Sequence, residues 1–553
     1  MVDFADLREA RPEAVAPAAR AWAAFAAALG ELERRVPDEL TGPLRRSEWR
    51  GPAATAAWHW FDLLDDEFEL AAAQVRVLAT VVRAAAVEFA ALHRNLVAAV
   101  DAAVSLGLRV DAAGRVHAPD GPGSLALDAA GQEAHRRAVT NAEIYDELIA
   151  SIVRRADEAD RRYAEAVARF RPGSYGQAPW EYSTFTGAAR ETLSLFGLAA
   201  DDIPSGGDPA AARAWWQGLS DEQRLLYLTA CPERVGALDG LPATDRDEAN
   251  RLALRIYIGD NVTHYRDHGN SQHDRAVHLL NTLEASEQGP PAKRLYLLGI
   301  DNQGDGKAIV AVGNPDTARH TAVLVPGVGT ELDDIRGQIA RADRLQSVAD
   351  AHTAGVDGDV AVIAWLGYDT PGTDDDILTA PFGGKSRDGA AALDQFVNGL
   401  NAAHGPGPSH VTAIGHSYGS TVIGVAASTG DGLAVTDIVT AGSPGMRVDQ
   451  ASDLRVADGH VWAGAAGDDH IANPNRHMLA SGLLIGPWAP YVEDELVHGP
   501  SPHYRDFGAN RFHVDTSGHS GYWDEGSESL DNQAAIIVGQ YGRVGLDHGK
   551  QFS

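Results

Sequence analysis

The sequence predicts an α/β fold in which a central, mostly parallel sheet is preceded by an all-α N-terminal region. From about residue 293 onward, short apolar runs typical of buried strands recur, and they end in glycine-rich turns. Over the first hundred residues, apolar side chains instead recur at the three- and four-residue spacing of amphipathic helices. The chain has 553 residues, which is longer than a single compact domain usually is, so we expect two or three domains.

Four segments follow from these patterns. We predict a long helical hairpin over residues 1–106 and a loop with a connecting helix over 107–175. A helical cap or brace region should occupy 176–292, and the α/β domain 293–553.

In the hairpin, the apolar face of the first helix comprises Trp22, Phe25, Leu29, Leu32 and Val36. A turn with Trp49 and Gly51 leads to the second long helix. Two long helices joined by a Trp-x-Gly turn resemble the WXG-type hairpins associated with type VII secretion. That resemblance implies a helical partner or a homodimer through residues 1–106. The alternative is a plain hairpin that packs against the rest of the chain or dimerises.

Composition narrows the class of protein. A net charge of −31 disfavours nucleic acid and anionic membrane surfaces as partners. The single cysteine, Cys231, excludes an intramolecular disulfide framework and a cysteine-based metal site. No apolar run is long enough for an integral membrane segment. The first residues lack the pattern of a conventional secretory signal peptide, so we expect a cytoplasmic protein or one exported by a type VII-like route.

The apolar run that starts at Val411 is typical of a strand. It leads into the turn Gly415-His416-Ser417-Tyr418-Gly419, and a helical pattern follows from about Ser420. In this G-x-S-x-G turn, small residues allow the sharp bend that exposes a serine hydroxyl between strand and helix. We therefore predict that Ser417 is a nucleophile.

A serine nucleophile needs a histidine base and a carboxylate that orients it, here expected in the chain order serine, acid, histidine. A predicted strand ends at Asp468 and Asp469, and we choose Asp469 with Asp468 as the alternative. The candidate bases are His498, His503, His513 and His519. His519 lies in a glycine-flanked loop before the final helix, so we choose it, with His513 next.

Acyl transfer also needs backbone donors for the developing oxyanion. The strand at 322–325 runs into the glycine-rich turn that contains Gly327 and Val328. We predict that this turn and the backbone of Tyr418 supply those donors; an ordinary glycine turn is the alternative.

Two other patterns resemble binding motifs but are not interpreted as binding sites. Residues 382–386 end like a phosphate-binding loop but lack its first glycine, so a loop in a lid or pocket wall is preferred. Asp468, Asp469, His470 and His477 have metal-ligand types without a recognised spacing. We expect no cofactor and no metal.

Several stretches together resemble an actinobacterial α/β-hydrolase family catalogued as a domain of unknown function. These are residues 311–318, the turn at 325–330, and 365–369, 415–420 and 442–445. The resemblance implies an α/β-hydrolase fold in which Ser417 is the nucleophile, Asp469 the acid and His519 the base. The family commonly has proline after the acid, whereas this chain has His470, which keeps Asp468 open.

The predicted function is therefore a serine hydrolase that cleaves carboxylic esters or thioesters through a Ser-His-Asp triad. Its substrate should be a small-molecule or lipid-like acyl compound. The alternative is an exported effector or interaction protein of the type VII kind, in which the hairpin binds a partner and the hydrolase domain is secondary or degenerate.

Overall fold

A computed structural model describes residues 2–11, 14–35, 39, 43, 47, 49–119, 128–170, 182–268, 271–302, 305–353, 358–371, 384–407, 409–472 and 498–547. These fall into two compact units, residues 1–199 and 200–553. The predicted phosphate-loop-like residues 382–383, most of the predicted lid (372–383) and His477 lie outside the described residues. The predicted boundaries at 106, 175 and 292 stay predictions.

In the part of the first unit that the structure describes, the regular elements are helices and one short β-hairpin. Its helices are α1 (Phe4–Glu9), α2 (Val15–Arg35), α3 (Pro52–Ser105), α4 (Ala129–Arg169) and α5 (Tyr182–Leu195). The hairpin pairs β1 (Arg109–Val110) with β2 (Val116–His117). Helices α3 and α4 pack around a shared apolar core. Across that packing, Glu88 of α3 accepts hydrogen bonds from Arg162 (2.5 Å) and from the Tyr163 hydroxyl (2.8 Å) of α4.

Three residues of the predicted apolar face of the first helix are exposed in α2. Trp22 is 38% exposed, Phe25 49% and Leu32 43%, whereas the small residues Ala19 and Ala26 are buried. Leu29 is partly buried, and Val36 lies outside the described residues. The periodicity of the apolar residues did not reveal whether this stripe packs against the rest of the chain. The buried residues of α2 include alanines on another side of the helix.

The second unit is built on one sheet, and among the described residues it has eight strands in the order β10-β9-β8-β7-β5-β6-β4-β3. Only β4 runs against the others in that set. The prediction of a mostly parallel sheet, preceded along the chain by a helical region, is confirmed. The strands are β3 (Leu295–Asp301), β4 (Lys307–Val312), β5 (His320–Val325), β6 (Val360–Leu366), β7 (His410–His416), β8 (Asp437–Ala441), β9 (Val461–Gly464) and β10 (Asn510–Arg511).

Helices cover both faces of this sheet. The helices described in the second unit are α6 (Pro209–Gly218), α7 (Asp221–Ala230), α8 (Pro232–Gly236), α9 (Ala243–His268), α10 (Ser271–Glu287), α11 (Ile335–His352), α12 (Gly384–Ala403), α13 (Tyr418–Ser428) and α14 (Glu528–Ile537). One core packs α10, α11 and α14 on the sheet, and the other packs α12 and α13. Alternate residues of each central strand enter the two cores, so the strands read as continuous apolar runs.

Short 3-10 helices connect several elements. They are Ala200–Asp202, Pro291–Lys293, Leu332–Asp334, Ala451–Leu454, Arg505–Phe507, Gly521–Trp523 and Tyr541–Arg543. No helix among the described residues combines the length and apolarity that a membrane crossing requires.

Side chains of α9 and α10 occupy the open hydrogen-bonding groups of the edge strand β3. The N–H of Leu297 donates to Asp247 (2.7 Å), and its carbonyl accepts from Asn250 (2.9 Å). The N–H of Leu295 donates to Ser286 (3.0 Å), and its carbonyl accepts from Arg251 (3.0 Å). The edge is therefore capped by side chains at both residues.

A buried carboxylate joins the amino-terminal ends of the central strands. Asp437 begins β8, and its side chain is 0% exposed. It accepts hydrogen bonds from His410 (2.8 Å), His460 (2.9 Å), Trp462 (2.9 Å) and Tyr541 (2.7 Å). Burial alone would raise the pKa of Asp437, but the hydrogen bonds from His410, Trp462 and Tyr541 outweigh it and lower that pKa. The cluster ties three strands to the C-terminal segment.

Candidate active site

Ser417 lies at the turn between β7 and α13, as predicted from the strand–turn–helix pattern. Its backbone has φ 52° and ψ −127°, a conformation that L-residues rarely adopt. A Cβ at Gly415 would lie 2.5 Å from the Cα of Ser420, and one at Gly419 would lie 2.2 Å from the carbonyl oxygen of Val325. Glycine is required at both positions because no space exists for a side chain.

Asp469 and His519 are in contact at the carboxyl ends of the strands. Asp469 Oδ2 lies 2.9 Å from His519 Nδ1, and its other oxygen accepts from the N–H groups of Ile471 (2.9 Å) and Ala472 (3.3 Å). Burial alone would raise the pKa of Asp469, but hydrogen bonds from His519 and Tyr522 lower it to about 2. The carboxylate is therefore ionised at neutral pH and places the Nδ1 proton on the side of Asp469.

Asp468, the alternative acid, has a different contact. It is exposed, and its Oδ1 accepts the backbone N–H of Gly518 at 2.8 Å. Gly518 precedes His519 in the chain. The two neighbouring aspartates thus hold the same loop in two ways, Asp469 at the imidazole and Asp468 at the backbone.

The other late histidines lie elsewhere. His513 pairs with Glu528 at 2.9 Å, and both side chains are half exposed. His503 is buried with Asp547 3.9 Å away. His498 packs edge-on against the Tyr418 ring, and burial lowers its pKa to about 4. Of the four histidines, His519 is the one in hydrogen-bonding distance of Asp469.

Ser417 and the Asp469–His519 pair both lie next to the end of β8. The Ser417 N–H donates to the carbonyl of Ala441 (3.1 Å). A Cβ on the next residue, Gly442, would lie 2.8 Å from Asp469 Oδ2 and 3.1 Å from His519 Cε1. Among the described residues, Ser417 Oγ makes no hydrogen bond. In structures without substrate, catalytic serine–histidine hydrogen bonds are often long or poorly aligned.

The turn after β5 lies against Ser417. A Cβ at Gly327 would be 2.7 Å from Ser417 Cβ and 3.2 Å from Ser417 Oγ. The segment after β6 holds this turn in place: Tyr368 donates to the carbonyl of Pro326 (2.7 Å), and Gly329 donates to that of Pro371 (2.8 Å). Val328 packs on the core that contains Tyr418. Of the three predicted oxyanion residues, Gly327 thus lies against Ser417 and Tyr418 follows it in the chain, with Val328 next to Gly327 in the same turn.

Tyr522 is a site residue that sequence reasoning missed. Its hydroxyl donates to Asp469 Oδ2 at 2.5 Å and accepts the N–H of Ala466 at 3.1 Å. Burial and the hydrogen bond to Asp469 raise the pKa of Tyr522, so it stays a neutral donor. Its position three residues after His519, in the loop already singled out, was the available signal.

We predict that Tyr522→Phe lowers the free energy of unfolding by about 1–3 kcal/mol, because the buried N–H of Ala466 and Oδ2 of Asp469 each lose the hydrogen bond to the Tyr522 hydroxyl. Urea unfolding measures the change. Tyr504→Phe is the matched control, since the Tyr504 hydroxyl makes no hydrogen bond with the residues that the structure describes. Equal stability losses for the two variants would contradict the prediction.

Comparisons with known proteins show which family the sequence matches. A family model described as Alpha/beta hydrolase matches residues 301–480. The uncharacterized protein Rv2079 of Mycobacterium tuberculosis is 31% identical over 373 residues, which cover 61% of this chain and 56% of that protein. The uncharacterized proteins Rv0963c of Mycobacterium tuberculosis and Mb0988c of Mycobacterium bovis are each 34% identical over 202 residues, covering 35% of this chain and 73% of those proteins. The chain belongs to the alpha/beta hydrolase family.

Membership of the alpha/beta hydrolase family confirms the predicted resemblance at that level and supports hydrolase activity in general. The likeness to WXG-type hairpins stays a prediction. This chain spans only about half the length of Rv2079, with 56% covered. Among the described residues of this alpha/beta hydrolase, no group of three or more His, Cys, Asp or Glu side chains is arranged to hold a metal ion.

Proposed function

We propose that this alpha/beta hydrolase is a serine hydrolase that cleaves carboxylic esters or thioesters of small-molecule or lipid-like acyl compounds. The observation that carries the proposal is the Asp469–His519 hydrogen bond (2.9 Å) beside the turn of Ser417. Because Asp469 accepts at Nδ1, Nε2 is the ring nitrogen of His519 that can act as a base. That is the atom a serine needs as its general base.

In the proposed reaction, Ser417 Oγ attacks the acyl carbonyl while His519 Nε2 takes its proton. The imidazolium is stabilised by ionised Asp469 and then gives the proton to the leaving alcohol or thiol. The same histidine takes a proton from a water molecule as that water attacks the acyl-enzyme, and it returns the proton to Ser417 Oγ as the acid is released. The N–H groups of Tyr418 and of Gly327 or Val328 are proposed to hold the oxyanion, since both segments adjoin Ser417.

Labelling with a fluorophosphonate tests the proposal without knowledge of the substrate. We expect wild type to be labelled at Ser417, as located by peptide mass, and Ser417→Ala to remain unlabelled. Ser428→Ala is the matched control, because Ser428 lies at the far end of the same helix and bonds the carbonyl of Gly424 (2.7 Å). A folded wild type that is not labelled, or is labelled at another serine, would refute the proposal. Labelled protein justifies a screen of esters and thioesters.

We predict that Gly327→Ala lowers the labelling rate and kcat by about 10²–10³-fold, the usual effect of losing one oxyanion donor. The added Cβ would meet Ser417 Cβ at 2.7 Å, so the turn must move away from the serine. Gly337→Ala in α11 is the control, because nothing lies within 4 Å of its Cβ position. If the Gly327 variant were labelled at the wild-type rate, the turn would have no part in oxyanion binding.

A second candidate function is an interaction role of residues 1–106, with or without export by a type VII-like route. It is favoured by the exposed apolar stripe of α2, in which Trp22 and Leu29, and Phe25 and Leu32, are seven residues apart. Such spacing suits a seam with another helix. We propose the same face of a second copy as its occupant, with a separate helical protein as the alternative.

Sedimentation of the full chain tests this candidate. We expect wild type to be dimeric and Phe25→Glu to be monomeric at equal concentration. Val87→Glu is the control, since Val87 is an exposed apolar residue of α3 outside the stripe. A monomeric wild type would exclude the second copy, and complex formation with a separate helical protein that Phe25→Glu abolishes would then identify the alternative occupant.

A further inference from the structure

His416, the residue before the proposed nucleophile, is in direct contact with the residue proposed as base. It is the last residue of β7 and is buried. Its Nε2 lies 2.7 Å from the backbone carbonyl oxygen of His519, and the two imidazole rings are 4.8 Å apart between centroids. The proposed reaction assigns His416 no role.

The contact determines which ring nitrogen of His416 carries the proton. A carbonyl oxygen only accepts hydrogen bonds, so Nε2 must be the protonated nitrogen and must donate. Burial lowers the pKa of His416 to about 3, and the ring is therefore neutral at physiological pH. A nitrogen that donates to a carbonyl cannot also take a proton from Ser417, which excludes His416 Nε2 as a substitute base.

The ring of His416 packs against two aromatic side chains. The Trp523 ring meets it edge-on with centroids 5.1 Å apart, and the Tyr522 ring lies at 6.3 Å. Arg341 stacks over Trp523 at 5.0 Å, and Arg344 donates to the Trp523 carbonyl at 3.2 Å. Because the His416 ring packs against these aromatic rings, the position of its Nε2–H relative to β7 is restricted.

Two side chains bind the backbone next to the His519 imidazole, one at Gly518 and one at His519 itself. Asp468 accepts the N–H of Gly518 (2.8 Å), and His416 donates to the carbonyl of His519 (2.7 Å). The second of these hydrogen bonds comes from the residue that precedes Ser417 in the chain. One rigid strand end thereby carries the nucleophile and fixes the backbone of the base.

We propose that His416 is a positioning residue: its Nε2–H fixes the carbonyl of His519 and so sets the distance between the imidazole and Ser417. The inference rests on the proposed function, in which that distance controls proton transfer. Misplacement of a reacting group by about 1 Å can reduce a rate about 10²-fold. Loss of the donor therefore lowers kcat, while ground-state substrate binding stays largely unchanged.

The test compares two variants of similar shape, His416→Gln and His416→Met. The Gln amide reaches as far as Nε2 and retains a donor, whereas Met fills the space without one. With an activated p-nitrophenyl ester, we expect the Met variant to lose about 10²-fold in kcat with KM changed less than threefold. The Gln variant should keep at least about a tenth of wild-type kcat. Circular dichroism at the assay temperature establishes that each variant is folded.

Equal kcat values for folded Gln and Met variants, or a Met variant as fast as wild type, would overturn the inference. Both results leave an active wild type, so they are distinct from failure of the proposed function, in which wild type itself neither reacts with fluorophosphonate nor cleaves the ester. If the Met variant does not fold, the Gln variant decides: a folded Gln variant with less than a hundredth of wild-type kcat contradicts the proposed role.

Discussion

Asp469→Asn is expected to lower kcat for an activated ester about 10⁴-fold, the effect known for a triad acid replaced by its amide. The amide removes the charge that stabilises the imidazolium, and it no longer selects the Nδ1–H tautomer of His519. The variant should also lose the hydrogen-bonding pattern in which one oxygen accepts from both His519 and Tyr522. Steady-state kinetics and the fluorophosphonate labelling rate measure the loss.

Asp468→Asn provides a matched control at the next position. An amide oxygen can still accept the N–H of Gly518, so we expect less than about a tenfold fall in kcat, because that hydrogen bond persists. A larger effect at Asp468 than at Asp469 would assign the acid to Asp468. Equal, small effects would contradict a triad of this composition.

Asp437→Asn is expected to have the largest effect on stability. The Asp437 carboxylate accepts from two imidazoles, an indole and a phenol, whereas an amide turns one acceptor into a donor facing those same groups. Breaking a buried charged network from one side costs about 3–5 kcal/mol. Urea unfolding of the full chain should show this loss in the transition of residues 200–553. The exposed Asp431→Asn should change stability by less than about 0.5 kcal/mol.

The effect of Asp437 depends on pH in a defined direction. Its folded-state pKa is lowered, so its contribution to stability is complete above the unfolded value of about 3.9. As the pH falls below that value toward the folded-state pKa, the contribution is lost. The stability difference between wild type and Asp437→Asn should therefore shrink below about pH 4. A difference that is constant from pH 7 to 3 would show that the charge of Asp437 does not matter.

Local sequence patterns predicted the parts of the site that depend on local geometry. The bend at Ser417 needs small residues at fixed offsets, and Gly415 and Gly419 provide them. The choice between Asp469 and Asp468 depends on which of two neighbouring side chains turns inward, and a sequence does not reveal this. In the structure Asp469 is buried and Asp468 is exposed.

Contacts between distant segments escaped prediction. Tyr522 and His416 belong to stretches that the sequence singled out, yet their contacts depend on how the loop at 516–523 folds over β7. The partners of Asp437 come from positions 410, 460, 462 and 541, with no spacing that marks a cluster. Likewise, periodicity found the stripe with Trp22 and Phe25 but did not reveal its exposure.

The capped edge at Leu295 and Leu297 has a consequence for the behaviour of the protein at high concentration. An open edge strand is a template on which further strands add, from another molecule or from a misfolded one. Here carboxylate, amide, guanidinium and hydroxyl groups already occupy those template positions. Polymerisation of the sheet through this border would first have to strip four hydrogen bonds from the native molecule, so the border resists fibre growth while the helices stay in place.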